Sequence, residues 1–237
     1  MSNITLFIHL YYPGSWSLIR KECDHAIGNA SRIIITTVHK DVAAEVDLRD
    51  NEKITILKVT NKGKDIGGKL AAFSYYLNFC ERTPYLALLH DKVSPQTINV
   101  EYWSTRLYSI FGKENFTKAI DRLDRHPGVG LLGAATFLKS EYIRSQKKFD
   151  TTNNDLLWEL LRNYNIECKT YNFIAGTIFI ARSILFEKFF SENSPLAARQ
   201  KLEEGNVLDL IHGTYTHSWE RLFCFIAEAQ GYAVKGI

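Results

Sequence analysis

Cysteine, proline and methionine are scarce in this sequence. Among 237 residues there are four cysteines, five prolines and one methionine. The cysteines show no Cys-x-x-Cys spacing, which excludes the common paired-cysteine metal and redox motifs. Cys80 and Cys224 lie in apolar, helix-like surroundings, so we predict that both are buried thiols. A reducing compartment, the cytoplasm, is the simplest fit.

A strong charge of one sign and long hydrophobic runs are also missing. The formal net charge of +3 gives no argument for nucleic acid binding, although it suits an anionic ligand. No segment approaches the length needed to span a bilayer, so we expect any membrane contact to be peripheral, at the inner face of the cell membrane. The apolar run at 4–12 is short and reaches Pro13-Gly14, which predicts a first strand rather than a signal peptide.

What the sequence does contain is an alternation of buried strands and helices. Apolar, β-branched runs predict strands at 5–10, 32–38, 54–59 and 85–90, with helices at 17–29 and 70–80 between them. Continuous apolar strands are typical of a parallel sheet covered on both faces. We therefore predict an α/β fold with a Rossmann-type, mostly parallel sheet flanked by helices, and ligand chemistry at the carboxyl ends of the strands.

The second half of the chain is less regular. The patterns predict helices at 101–111, 116–124, 153–163, 184–190 and 217–230, and strands at 128–133 and 173–182. There is no internal repeat, low-complexity tract or convincing linker. We expect a single domain over residues 1–237.

The segment 61–70, Asn-Lys-Gly-Lys-Asp-Ile-Gly-Gly-Lys-Leu, is the most informative in the chain. It connects a predicted strand to a predicted helix and carries three lysines. A glycine-rich turn at this point exposes backbone N–H groups at the positive end of a helix, which suits a phosphate group. The segment therefore predicts a phosphorylated ligand.

One interpretation of this segment is a P-loop. Gly63 to Lys69 satisfy Gly-x-x-x-x-Gly-Lys, but Leu70 stands where the motif requires Ser or Thr. Leucine offers no oxygen to magnesium. A nucleotide-binding ATPase or kinase, using this segment and Asp91, is therefore an alternative function.

Four segments, in order, carry a resemblance to a known family. They are His9-Leu10-Tyr11-Tyr12-Pro13, Asn61 to Gly67, Phe173 to Arg182, and Thr216 to Phe223. The set resembles the rhamnan synthesis protein F family of bacterial polysaccharide glycosyltransferases. That family reads roughly His-Thr-Lys-Lys after its fourth strand, where this chain has His90-Asp91-Lys92-Val93.

The resemblance implies a GT-A-like domain, with a nucleotide-sugar-binding half at 1–100 and an acceptor and catalytic half at 101–237. It implies transfer of a sugar from a nucleotide-sugar donor to a bacterial surface polysaccharide or a lipid-linked glycan, with inversion at the anomeric carbon. A non-catalytic sugar-binding subunit of the same fold is a further alternative, because the chain lacks a complete Asp-x-Asp.

The candidate catalytic residues are Glu220, as the general base, and His217, which shares its helix face at i, i+3 spacing. For a divalent metal, Mn²⁺ or Mg²⁺, the candidates are Asp91 and His90. Candidate donor-binding residues are Tyr11, Thr37, Asn61, Gly63, Lys64, Asp65, Gly67, Lys92, Gly176 and Thr177.

Each of these residue types also has a purely structural use. Asp65 and Asp91 are suited to capping a helix or a turn. Glutamate is favoured at a helix N-terminus, so Glu220 with His217 would also stabilise a helix start. Gly176-Thr177 would also form a bulge in the predicted strand.

Overall fold

The computed structural model describes residues 3–46, 52–92 and 105–237. Its strands in chain order are β1 (Ile4–Leu10), β2 (Arg32–Thr37), β3 (Ile54–Lys58), β4 (Tyr85–His90), β5 (Val129–Gly133), β6 (Leu138–Ser140), β7 (Tyr142–Ile143), β8 (Lys148–Phe149), β9 (Asn172–Ile174), β10 (Phe179–Arg182) and β11 (Ala233–Gly236).

The described helices are α1 (Ser15–Glu22), α2 (Asp24–Asn29), α3 (Lys40–Glu45), α4 (Lys64–Phe79), α5 (Lys113–Arg125), α6 (Asn154–Asn163), α7 (Ser183–Glu192), α8 (Pro195–Gln200) and α9 (Tyr215–Ala229). Single 3₁₀ turns lie at Ser109–Phe111 and Ala135–Phe137. Within the described ranges, every helix is too short or too polar to cross a membrane.

Seven strands form the main sheet in the order β11-β5-β10-β4-β1-β2-β3. β1 pairs in parallel with both β2 and β4, and β10 runs antiparallel between β4 and β5. The predicted α/β fold with a Rossmann-type, mostly parallel sheet flanked by helices is confirmed, and the topology is consistent with a GT-A-like architecture. The sheet includes strands from both halves of the chain.

Both faces of the sheet are covered, as the continuous apolar strands predict. Every residue of β1 is buried. Phe7 points to the face covered by α4, where its ring lies 4.9 Å from that of Phe73. Its neighbours Leu6 and Ile8 belong to a second core with Ile19 of α1. The alternation of side chains along β1 therefore supplies two separate cores.

The predicted helix at 17–29 is two helices. Cys23 separates α1 from α2 with φ −114° and ψ 18°, outside helical geometry. Its N–H still bonds the carbonyl of Ile19, and its carbonyl accepts from the N–H of Ile27. The hydrogen bonds therefore continue through the break, so α1 and α2 together occupy the range predicted as one helix.

The predicted strand at 173–182 is also interrupted. β9 and β10 belong to different sheets, and Gly176 and Thr177 between them have φ of 85° and 53°. Two successive left-handed residues redirect the chain, and a single bulge does not describe this break. Of the predicted helix at 101–111, residues 101–104 lie outside the described residues, 105–107 are helical as predicted, and 109–111 form a 3₁₀ turn.

Helix α4 carries one buried and one exposed phenylalanine, which together allow a controlled test of the core. Phe73 is fully buried against Phe7, Phe186 and Phe223, whereas Phe79 on the same helix is 75% exposed. We expect Phe73→Ala to lower the free energy of unfolding by about 3–5 kcal/mol, because it leaves a cavity among aromatic rings. Phe79→Ala should change it by less than about 1 kcal/mol. Urea unfolding followed by circular dichroism measures both, and equal effects would contradict this account of the core.

Candidate functional site

A cavity of about 420 Å³ opens at the carboxyl ends of β1 and β4. β1 is flanked by β2 on one side and β4 on the other, so the cavity lies at the switch point of the sheet, where open α/β folds bind ligands. His9 and His90 are register partners at the ends of these strands. The lining residues are His9, Tyr11, Tyr12, Lys64, Asp65, Ile66, His90, Asp91, Lys92, Gly176, Thr177, Asn206, Leu208, Thr216, His217 and Glu220.

The start of α4 forms one wall of this cavity. α4 begins at Lys64, six residues before the predicted start at Leu70. Its first i→i−4 bond runs from the N–H of Gly67 to the carbonyl of Gly63, so the N–H groups of 64–66 precede the helical bonds. Lys64, Asp65 and Ile66 all line the cavity. The expected positive helix end is therefore present, but it lies closer in sequence to the preceding strand, β3, than predicted.

This geometry is incompatible with the P-loop alternative. Gly67 and Gly68 lie inside α4 rather than in a phosphate-binding loop. A Cβ on Gly67 would lie 1.7 Å from the carbonyl oxygen of Lys62, and one on Gly68 would lie 2.2 Å from Nδ1 of His9. Both glycines are explained by close packing of α4. Lys69, the motif's lysine, is only 1% exposed.

Lys69 instead holds three segments together. Its Nζ donates to Oδ2 of Asp65 at 2.8 Å, to Nδ1 of His90 at 3.0 Å and to the carbonyl of Thr177 at 3.0 Å. An ammonium group has three donors and no acceptor, so all three protons are used. The ion pair with Asp65 spans one turn of α4, and the other bonds reach β4 and the turn between β9 and β10.

The contact with Lys69 also defines the state of His90. Because Nδ1 accepts from an ammonium, the ring of His90 is neutral and carries its proton on Nε2. Burial holds the pKa of His90 well below its ordinary value, although Asp65 acts in the opposite direction. Burial likewise lowers the pKa of His9 to about 4. Both histidines at the strand ends are therefore neutral at pH 7.

Asp65 remains charged within this cluster. Burial would raise its pKa, but attraction to a protonated His90 and to the ammonium of Lys69 outweighs that effect and lowers it. At pH 7, where His90 is neutral, the positive charge beside Asp65 is that of Lys69. Asp65 forms no side-chain cap at the start of α4. Its position in the first turn still places a negative charge at the positive end of the helix.

Asp91 binds the backbone of the loop that follows β1. Its Oδ2 accepts from the N–H groups of Tyr11 and Tyr12, both at 2.7 Å. Burial raises the pKa of Asp91, although these amides favour the charged carboxylate. The side chain thus has a clear structural use, which is the turn-forming alternative that the sequence left open.

Asp91 and His90 have few unoccupied ligand atoms to offer a divalent metal. One carboxylate oxygen already accepts two N–H groups, and Nδ1 of His90 is bonded to a cation. Mg²⁺ prefers about six oxygen ligands. Among the described residues there is no group of three or more His, Cys, Asp or Glu side chains suited to a metal. A metal here would take most of its ligands from substrate and water. That the protein requires a metal stays a prediction.

Glu220 is positioned by two donors. The N–H of Gly176 donates to its Oε1, and Arg221 Nη1 lies 3.0 Å from its Oε2. Arg221 is itself held by a bidentate pair with Glu141, at 2.7 and 3.0 Å. The carboxylate of Glu220 is therefore fixed on the cavity wall beside the turn between β9 and β10.

His217 belongs to a network that the sequence did not reveal. Its Nδ1 lies 2.6 Å from Oγ1 of Thr214, and its Nε2 lies 3.8 Å from Oδ1 of Asp209. Asp209 in turn accepts from the amide of the buried Asn153 at 2.7 Å. Burial lowers the pKa of His217, with Asp209 opposing. Thr214 precedes His217 by three residues and caps α9, a pattern visible in the sequence, whereas the approach of Asp209 and Asn153 depends on tertiary structure.

Four predicted ligand-binding residues, Thr37, Asn61, Gly63 and Gly67, do not line the cavity. Thr37 is buried at the end of β2 and accepts from the N–H of His39. Asn61 donates to Asn206 at 3.3 Å. A Cβ on Gly63 would lie 2.1 Å from a methyl group of Leu202. These residues contact other parts of the protein, so they support the cavity from behind its walls and do not line it.

No protein-family model matches the chain, and no curated protein matches its sequence. Among solved structures, the 4-diphosphocytidyl-2C-methyl-D-erythritol synthase of Anaerococcus prevotii is similar over 100% of this chain and 86% of its own, with 14% identity and a TM-score of 0.44. So distant a likeness leaves the function open. The resemblance to rhamnan synthesis protein F rests on the four sequence segments.

The pair of Asp65 and Lys69 predicts a specific pH dependence. The pKa of Asp65 is lower in the folded protein than the unfolded value of about 3.9, so its stabilisation is complete above that pH and is lost as the pH falls. We expect Asp65→Asn to lower the free energy of unfolding by about 3–5 kcal/mol at pH 7, because it leaves a buried ammonium unpaired. The deficit relative to wild type should shrink below about pH 4.

Urea unfolding between pH 3 and pH 7 measures this deficit. Asp121→Asn is the control, since Asp121 forms an exposed pair with Arg125 at 3.6 Å and should cost less than about 1 kcal/mol. An Asp65→Asn deficit that is constant across the pH range would show that the carboxylate charge is not responsible.

Proposed function

We propose that the protein is a glycosyltransferase that moves a sugar from a nucleotide-sugar donor to a bacterial surface polysaccharide or a lipid-linked glycan. One observation carries the proposal. All four segments that resemble the rhamnan synthesis protein F family contribute to the same cavity, through His9 and Tyr11, Lys64 and Asp65, Gly176 and Thr177, and His217 and Glu220. These segments are separated by up to about two hundred residues, and the fold gathers them at the switch point of the sheet.

The diphosphate of the donor fits the wall formed by α4. The N-terminal N–H groups of this helix and the ammonium of Lys64 lie there, with Lys92 on the same cavity. An N-terminus with a nearby lysine stabilises the charge that develops on a leaving diphosphate. Tyr11 and Tyr12, whose rings are 5.1 Å apart, provide a surface on which a nucleobase stacks.

The reaction requires a base for the acceptor hydroxyl, and Glu220 is our assignment. The acceptor oxygen attacks the anomeric carbon, and the bond from that carbon to the diphosphate oxygen breaks. The hydroxyl proton passes to Glu220, and the nucleoside diphosphate leaves with the bonding electron pair. Attack opposite to the leaving group inverts the anomeric centre. His217, one turn away and neutral, lies beside the base.

Lys64 and Lys62 form a matched pair for testing the donor site. Lys64 lines the cavity, whereas Lys62 pairs with Glu204 at 3.6 Å and does not. We expect Lys64→Gln to weaken binding of UDP or dTDP by about 10- to 100-fold, the loss of one charge-assisted hydrogen bond. Lys62→Gln should bind as wild type does. Calorimetric titration measures both, and equal affinities in the two variants would remove Lys64 from the donor site.

The assignment of Glu220 has its own test. Glu220→Gln should bind the nucleoside diphosphate as wild type does and lose transfer by about 10²- to 10⁴-fold, the usual contribution of a general base. Glu204→Gln is the control, because Glu204 has an 84% exposed side chain. Transfer from candidate sugar nucleotides, with and without Mn²⁺, is followed by release of the nucleoside diphosphate.

Three outcomes of that assay are informative. Full transfer by Glu220→Gln would remove the base assignment. Binding of UDP or dTDP by wild type without transfer or hydrolysis of any sugar nucleotide would favour the non-catalytic subunit. If wild type binds no sugar nucleotide at all, the proposed function is wrong.

A further inference from the structure

Four exposed apolar side chains lie within residues 207–211, at the edge of the cavity. They are Val207, Leu208, Leu210 and Ile211, which are 41%, 61%, 78% and 81% exposed. Among the described residues, three other large hydrophobic side chains are exposed, and they lie on three different helices. Single exposed hydrophobic residues are ordinary on a protein surface, whereas a cluster of them indicates an interaction surface. We call residues 207–211 the apolar loop.

The one charged side chain of the apolar loop is turned inward. Asp209 accepts from the side-chain amide of the buried Asn153 at 2.7 Å, and its backbone carbonyl accepts from the hydroxyl of Thr152 at 2.7 Å. Gly213 packs against the same segment, because a Cβ there would lie 2.6 Å from the carbonyl oxygen of Thr152. The loop is therefore fixed to the protein by its polar groups, and the apolar side chains are the ones left in solvent.

The apolar loop is continuous with the cavity that we assign to the donor. Leu208 lines this cavity although it is mostly exposed, and Asn206, which precedes the loop, lines it as well. Asn206 also donates to the hydroxyl of Tyr11 at 3.4 Å, beyond the end of β1. A partner that covers the apolar loop therefore also reaches the opening of the cavity.

The size and composition of the loop favour a lipid surface over a protein partner. A stable protein interface takes about 20–30 residues from each side, and its centre is enriched in aromatic residues and arginine. The apolar loop offers four aliphatic side chains and no aromatic ring. These side chains carry about fifteen carbon atoms, close to one myristoyl chain, which alone gives weak, reversible membrane binding. Since Asp209 is turned inward, insertion of the exposed side chains does not bring a charge into the bilayer.

We propose that the apolar loop inserts into the interface of a lipid bilayer and holds the opening of the cavity at the level of the lipid headgroups. The inference rests on the proposed function, because it describes how the cavity would meet an acceptor in a membrane. It narrows the acceptor to the lipid-linked glycan, whose lipid anchor keeps its saccharide close to the bilayer surface.

The test uses the full-length protein and vesicles of pure phosphatidylcholine, which carry no net charge. We expect wild type to float with these vesicles in a density gradient, with an association constant of at most about 10⁴ M⁻¹. Flotation should change little between low and high salt, because salt screens charges and not apolar contacts.

The loop variant, Leu210→Ser with Ile211→Ser, locates the contact. It removes the two most exposed side chains of the loop and should weaken vesicle binding roughly tenfold or more. Neither residue lines the cavity, so affinity for UDP or dTDP should be unchanged. Urea unfolding should match wild type, since exposed side chains contribute little to stability.

The double variant Phe79→Ser with Ile184→Ser is the matched control. It also removes two exposed apolar side chains, which are 75% and 52% exposed. Phe79 ends α4 ahead of β4, and Ile184 follows the end of β10, where Arg182 pairs with Tyr85, the first residue of β4. Both lie at the opposite end of the sheet from the cavity, so this variant should bind vesicles as wild type does.

A third variant, Leu210→Trp, separates insertion from adsorption to the surface. It places an indole ring in the apolar loop, at a side chain that is 78% exposed. Vesicles of phosphatidylcholine brominated on its acyl chains should quench the emission of this variant more than that of wild type. Equal quenching of the two proteins would show that the loop does not enter the bilayer.

The inference is overturned if wild type does not float, or if the loop variant floats as well as wild type. It is also overturned if the apolar loop joins two copies of the chain, which sedimentation would show as a dimer that the loop variant loses, without vesicle binding. Failure of the proposed function has a different signature. Flotation that depends on the loop, by a wild type that binds no sugar nucleotide, would remove the function and leave the bilayer contact.

Discussion

The buried ammonium group of Lys69 is the interaction on which the cavity depends. Burial of an ammonium group is costly unless every donor is satisfied, and here the acceptors are Asp65, His90 and the carbonyl of Thr177. They belong to a helix start, a strand end and a turn that are far apart in sequence. Misplacing any of the three segments leaves a donor unpaired, so one side chain fixes the relative position of three walls.

This arrangement leaves the histidines at the strand ends uncharged and pairs the buried ammonium with a carboxylate. His9 and His90 lie at the strand ends and are neutral because they are buried. The charge of Lys69 is balanced by Asp65. The cations of Lys64 and Lys92 line the same cavity, together with the carboxylates of Asp91 and Glu220. Lys64, Lys92 and the start of α4 are the groups on this cavity that favour an anionic ligand.

The strands were predictable where burial alone determines them. β1, β2 and β4 match the apolar runs to within one residue, since a strand covered on both faces is apolar along most of its length. The start of α4 was not predictable, because Gly67 and Gly68 resemble a loop and are helical for a tertiary reason, the close approach of Lys62 and His9. The turn at Gly176 and the antiparallel strand β10 depend on pairing that no local pattern encodes.

The same distinction holds for the site. Polar residues directly after a buried strand, such as Asp91 and Lys92, could be located from the sequence, because the carboxyl ends of neighbouring strands share one edge. Glu220 came from the family resemblance, and only the structure shows what orients it. A glutamate on a helix surface rotates freely, but here Gly176 and Arg221 hold both oxygens. Because Gly176 also lines the cavity, the turn that interrupts the predicted strand places the carboxylate of Glu220 on the cavity wall.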